Sequence, residues 1–115
     1  MRYGYTLRMF EDESKFFGPG AAALLELVEE HGSLRAAAGQ MGMAYSKAWR
    51  ILRNAESVLG FPLLESRTGG RGGGGAVVSA PARRFLERYR TFERRLREQA
   101  DALFAEFFSQ EERET

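Results

Sequence analysis

The sequence contains no cysteine and a single histidine, His31. Without cysteine the chain forms no disulfide and offers no thiolate to a metal, and one histidine leaves a transition-metal site short of ligands. No run of about 18 apolar residues is present, which is the length that a membrane-spanning helix needs. The first residues, Met1 to Tyr5, lack the apolar core of a secretion signal. We therefore expect a cytoplasmic protein with no metal and no membrane partner.

Catalytic groups are also missing from the sequence. No nucleophile is paired with a base, and the acidic pairs Glu29-Glu30 and Glu111-Glu112 are typical of solvated helix surfaces. Gly70, Gly72 and Gly75 fit the spacing of a dinucleotide-binding loop, but that loop requires a helix directly after it. The sequence instead continues with a pattern that predicts a strand. We expect no enzyme activity and no cofactor.

Charge is unevenly distributed although the net charge is only +1. Between Arg67 and Arg97 lie nine arginines and only two acidic residues, whereas from Glu98 to Thr115 the acidic residues outnumber the single Arg113. Clustered arginine predicts a polyanionic partner such as DNA, while a solubilising helix surface is the alternative explanation.

Three helices are predicted before residue 60. The first opens at Gly18-Pro19-Gly20 and ends at His31-Gly32, where a histidine interacts favourably with the negative end of the helix dipole. Ser33 is a good N-cap for a second helix from Leu34 to Met41, and a third runs from about Tyr45 to Leu59. Two short helices separated by a glycine-containing turn predict a helix-turn-helix.

Two short apolar segments, Phe61 to Ser66 and Ala76 to Ser79, flank the glycine-rich stretch Gly69 to Gly75 and predict a hairpin. Alternation from Tyr3 to Met9 predicts a further strand. The fold class is therefore mainly α with a small β-hairpin: a winged helix-turn-helix over residues 1–80.

A long helix is predicted from Pro81 onward, so residues 81–115 form a second unit. Its apolar residues recur every three or four positions, a spacing that suits folding back on the first helix or pairing with a second copy. We assign a homodimer contact to this stripe, which comprises Phe85, Tyr89, Phe92, Leu96, Leu103 and Phe107.

DNA binding is assigned to the third helix and the wing. Residues near the start of a recognition helix reach base edges, whereas Arg53, a turn later, is better placed for phosphate. Arg71 at the tip of the wing is expected to enter the minor groove. Trp49 is predicted to be a core anchor rather than a base-stacking residue. The full predicted set is Ser33, Tyr45, Ser46, Lys47, Arg50, Arg53, Arg67 and Arg71.

Several short motifs follow one another in the order found in one family. They are Gly32-Ser33, Ala36-Ala37-Ala38, Met41-Gly42-Met43, Tyr45, Ala48-Trp49, Pro62-Leu63-Leu64-Glu65, Thr68 to Ala76 and Arg83 to Tyr89. This series closely resembles the N-terminal DNA-binding domain of ModE-type molybdate-dependent transcriptional regulators, which are related to the LysR-type winged helix-turn-helix.

The resemblance implies a two-fold dimer whose recognition helices read a near-palindromic operator. Ala44 and Ser46 depart from the family, which usually has serine at the first position and often a basic residue at the second. Family members continue into an oxyanion-binding module, whereas this sequence ends at Thr115. Either a separate effector-sensing partner supplies the signal or the protein binds DNA constitutively.

We therefore interpret the chain as a homodimeric, sequence-specific transcriptional regulator that binds double-stranded DNA and is linked to molybdate or oxyanion metabolism. A first alternative is a protein-interaction module that keeps the fold without reading DNA, using the tail Phe104 to Phe108. A second is an oxyanion sensor in which N–H groups of the glycine loop bind the anion.

Overall fold

The computed structural model describes residues 1–67 and 75–109. Its helices and strands, in chain order, are β1 (Met9–Glu11), β2 (Ser14–Phe17), α1 (Pro19–His31), α2 (Leu34–Gln40), α3 (Tyr45–Leu59), β3 (Leu64–Arg67), β4 (Gly75–Val78) and α4 (Ala80–Phe107). The predicted fold class is confirmed: a mainly helical chain with a helix-turn-helix, small hairpins and a long C-terminal helix. Within the described ranges, no helix is both long and apolar enough to cross a membrane.

Helices α1 and α2 meet at a glycine turn that the sequence predicted. Gly32 adopts φ 83°, and its N–H donates to the carbonyl of Val28, so it ends α1 in the left-handed conformation that favours glycine. Ser33 then starts α2, because its Oγ accepts a hydrogen bond from the N–H of Ala36 at 3.0 Å. These two caps define where α1 ends and where α2 begins.

Helices α2 and α3 cross closely over small side chains. Ala37, Ala38 and Ala48 are buried at the crossing, and Leu52 and Ala55 continue the inner face of α3. Because the inner face of α3 is narrow, most of its circumference lies outside the core.

Ser79 connects the wing to α4. Its Oγ accepts a hydrogen bond from the N–H of Ala82 at 3.2 Å and donates one to the carbonyl of Pro62 at 2.6 Å. Its own N–H donates to the carbonyl of Leu63. Ser79 therefore caps α4 instead of extending β4, and the predicted strand Ala76 to Ser79 is shifted by one residue.

The strand predicted from Tyr3 to Met9 is wrong. Antiparallel pairing begins only at Met9, in the hairpin of β1 and β2. The preceding residues run along α4: Tyr89 donates its hydroxyl proton to the carbonyl of Leu7 at 2.8 Å, and the guanidinium of Arg97 lies over the ring of Tyr5. An extended segment packed on a helix alternates between covered and exposed residues much as a strand does, which explains the error.

Candidate nucleic-acid interface

Helix α3 presents a polar surface on the side opposite its buried alanines. Ser46, Lys47 and Arg50 are all exposed there, in the first turns of the helix. The preceding residue, Ala44, is extended and has no side-chain oxygen to cap the helix. These three side chains are therefore accessible to a partner, and their contact with DNA stays a prediction.

One side of α3 is occupied by the chain itself. Asn54 Nδ2 donates a hydrogen bond to the carbonyl of Lys15 in β2 at 2.8 Å, and its own carbonyl accepts one from the Ser57 hydroxyl. Asn54 thereby attaches the β1–β2 hairpin to α3. The exposed surface of α3 is correspondingly narrower on this side.

The opposite side of α3 carries Trp49, and the prediction that it is a core anchor is wrong. Its side chain is 47% exposed, because position 49 lies about 100° around the helix from buried Ala48. The guanidinium of Arg53 lies 5.0 Å from the centre of the indole ring and 3.6 Å from a carboxylate oxygen of Glu56. Trp49 therefore belongs to the surface of the helix-turn-helix.

Tyr45 and Arg35 extend this aromatic surface toward α2. The guanidinium of Arg35 lies 4.5 Å from the centre of the Tyr45 ring, and Tyr45 is 42% exposed. Our sequence interpretation missed Arg35. Its position in the first turn of α2, two residues after the cap Ser33, is the signal that could have identified it.

A groove separates these residues from the wing. Ser33, Arg35, Tyr45 and Trp49 line one side, and the hairpin lines the other with Leu64, Glu65, Ser66, Gly75 and Ala76. The structure thus brings the predicted residues Ser33 and Tyr45 next to the base of the wing.

The base of the wing is attached to the α1–α2 turn. The N–H of Ala76 donates to the carbonyl of Gly32 at 2.8 Å, and a Cβ atom added at Gly32 would lie only 2.7 Å from Nη2 of Arg67. Arg67 lines a separate groove with Glu29 and Arg83. Its guanidinium therefore lies against the chain's own backbone, not beside Trp49. The predicted wing-tip residue Arg71 lies outside the described residues.

The apolar stripe of α4 divides into two parts. Phe85 and Tyr89 pack edge-on against Phe17, with ring centres 4.8 and 4.9 Å from it, and Tyr89 is buried. This corrects the expectation that Tyr89 faces a second copy, whereas Phe85 is half-buried and its role in a dimer stays a prediction. Phe92, Leu103 and Phe107 remain exposed, and Leu96 is half-buried.

An ion-paired arginine and a buried tyrosine mark where the packed part of α4 ends. Arg90 bonds to both carboxylate oxygens of Glu26 on α1 and to Glu93, and the bonds to Glu26 raise its pKa above the usual value. Burial raises the pKa of the Tyr89 hydroxyl. These groups stabilise the scaffold and do not face the groove beside α3.

Known proteins resemble the chain over this region. A family model described as bacterial regulatory helix-turn-helix protein, lysR family, matches residues 21–80. The molybdenum transport protein ModE of Herbaspirillum seropedicae is 37% identical over 73 residues, which are 64% of this chain and 27% of that protein. The transcriptional regulator ModE of Haemophilus influenzae is 34% identical over 82 residues, 71% of this chain and 32% of that protein.

A further relative is the DNA-binding transcriptional dual regulator ModE of Escherichia coli strain K12, which is 31% identical over 84 residues, 73% of this chain and 31% of that protein. The chain thus spans about a third or less of the length of these three relatives. The resemblance to the N-terminal part of ModE-type regulators is confirmed.

Proposed function

Because the chain belongs to the lysR family of bacterial regulatory helix-turn-helix proteins, we propose that it is a transcriptional regulator that reads double-stranded DNA sequence-specifically. The observation that carries this proposal is the exposed polar surface of α3, where Ser46, Lys47 and Arg50 project away from the buried alanines. The groove between α3 and the wing lies beside that surface.

The proposed mechanism places α3 in the major groove. Lys47 and Arg50 donate hydrogen bonds to the O6 and N7 atoms of guanine, and arginine does so with two parallel bonds. Arg53 and Arg35 contact phosphates, which supplies affinity that falls as salt concentration rises. Arg71 remains the proposed minor-groove contact of the wing.

A homodimer formed through α4 is the second part of the proposal. Phe92, Leu103 and Phe107 expose apolar surface on the part of α4 beyond the core. Such a row of side chains is typical of a helix that pairs with another helix. Two copies would place two α3 helices about 34 Å apart, one turn of DNA, and so favour an operator with two-fold symmetry.

The test is DNA binding at two salt concentrations, measured by fluorescence anisotropy. A duplex enriched from a randomised pool is compared with a random duplex of equal length. We expect the enriched duplex to bind more tightly at both concentrations and both affinities to fall with salt. Absence of binding to either duplex at the lower salt concentration would refute DNA reading and favour the protein-interaction alternative.

The names of the relatives support a role in genes for molybdenum uptake or use. We propose that the helix-turn-helix region described here does not itself bind the effector. Calorimetry with molybdate checks this: no heat is expected from this chain alone, and a clear binding heat would transfer the sensing role to it.

A further inference from the structure

An exposed aromatic row follows the wing-facing side of α3. Tyr45 and Trp49 are four residues apart, so their side chains lie one helical turn from each other on the same side. Both are more than two-fifths exposed. Tryptophan is usually largely buried, and exposed tryptophan beside charged residues is typical of a contact surface for a partner.

The chain's own packing explains little of this placement. The guanidinium of Arg53 covers one side of the indole at 5.0 Å, and Leu64 and Ala76 lie across the groove. The side of α3 that faces the core is filled by Ala48, Leu52 and Ala55. The large apolar ring of Trp49 therefore lies on the surface of α3 that is proposed to face DNA.

We propose, as an extension of the proposed DNA binding, that Trp49 is a specificity-determining residue that selects thymine. The 5-methyl group of thymine is the apolar feature that base pairs present in the major groove, and apolar side chains recognise it by direct packing. Phosphates are better matched by the neighbouring cations Arg35 and Arg53. The indole instead packs on one or more thymine methyl groups beside the bases that Arg50 contacts.

Replacing thymine by uracil in the enriched duplex tests this inference, because the change removes only methyl groups. The wild-type chain should lose about fourfold in affinity for each methyl that Trp49 contacts, from the free energy of burying one methylene-sized group. Trp49→Ala should bind the thymine and uracil duplexes equally. Trp49→Phe, which keeps an aromatic ring, should retain a preference for thymine.

Phe10→Ala is the matched control, because Phe10 is an exposed aromatic residue on β1, away from the groove. This variant should keep the wild-type ratio of the two affinities. Trp49→Gln provides a second polar replacement if the alanine variant folds poorly, which circular dichroism detects.

Three outcomes would overturn the inference. If wild-type chain binds both duplexes equally, no methyl is read. If Trp49→Ala keeps the full thymine preference while losing affinity for enriched and random DNA alike, the indole contacts the backbone. If wild-type chain binds no duplex at all, the proposed function fails and this inference fails with it, a result distinct from the other two.

Discussion

The two halves of α4 share one apolar spacing but differ in what they contact. In the first half, Leu86 and Tyr89 are buried against the core, and Arg90 is ion-paired to α1. In the second half, Leu103 and Phe107 remain exposed. Periodicity therefore predicts that a helix forms and which side is apolar, but it does not distinguish an internal contact from an external one.

The largest loss of stability is expected from a substitution in the buried first half of α4. Tyr89→Ala should lower the free energy of unfolding by about 3 to 5 kcal/mol, since it empties an aromatic site against Phe17 and leaves the carbonyl of Leu7 without its donor. Urea unfolding measures this loss. Phe92→Ala, on the exposed side of the same helix, is the control and should cost about 0.5 kcal/mol or less in the monomer. Equal losses of unfolding free energy in the two variants would contradict the view that Tyr89 is packed in the core and Phe92 is not.

The second half should control assembly instead. Leu103→Glu places a charge in the exposed apolar row and should convert the proposed dimer to monomer, as measured by sedimentation equilibrium. Affinity for a duplex with two half-sites should then fall more than tenfold, because the second half-site is no longer bound in the same complex. Unchanged mass for wild type and variant, both monomeric, would contradict the proposed dimer.

A substitution on α3 should weaken DNA binding and leave the oligomeric state unchanged. Arg50→Ala should weaken binding to the enriched duplex by about 1 to 3 kcal/mol, the value of a good base contact, with a smaller loss on random DNA. Its sedimentation should match that of wild type. If both duplexes lose affinity equally, Arg50 contacts phosphate and does not read bases.

The smallest effect concerns the N-terminal segment that packs on the second half. The Tyr3 hydroxyl donates to the carboxylate of Asp101, and that hydrogen bond raises the pKa of Tyr3 from 10.0 to about 12. Because the folded pKa is raised, the contact is complete below pH 10 and is lost as pH rises toward 12. Tyrosinate absorbance measures this titration.

Asp101→Asn is the control for this titration. It removes the carboxylate charge and should return the pKa of Tyr3 toward its ordinary value. A Tyr3 titration that is identical in the two proteins would show that the segment does not rest on α4 in solution.

Local signals predicted much of the helix-turn-helix. The bounds of α3 and the caps at Gly32 and Ser33 agree with the sequence, because each depends on residues within a few positions of the chain. The N-terminal segment was predicted wrongly because it packs on α4, a distant part of the chain, and Trp49 was predicted wrongly because it lies at the edge of the apolar side of α3. An aromatic residue at the edge of an apolar stripe has no sequence feature that decides between core and surface.

The hydrogen bonds of the Ser79 hydroxyl bear on the distance between the two helix-turn-helix domains of the proposed dimer. It is held between the carbonyl of Pro62, at the foot of the wing, and the first turn of α4. The direction of α4 relative to the helix-turn-helix is thus set by the hydrogen bonds of the buried Ser79. In the proposed dimer, the rigidity of this connection determines how much the spacing between two DNA half-sites can vary before one of the two helix-turn-helix domains no longer binds.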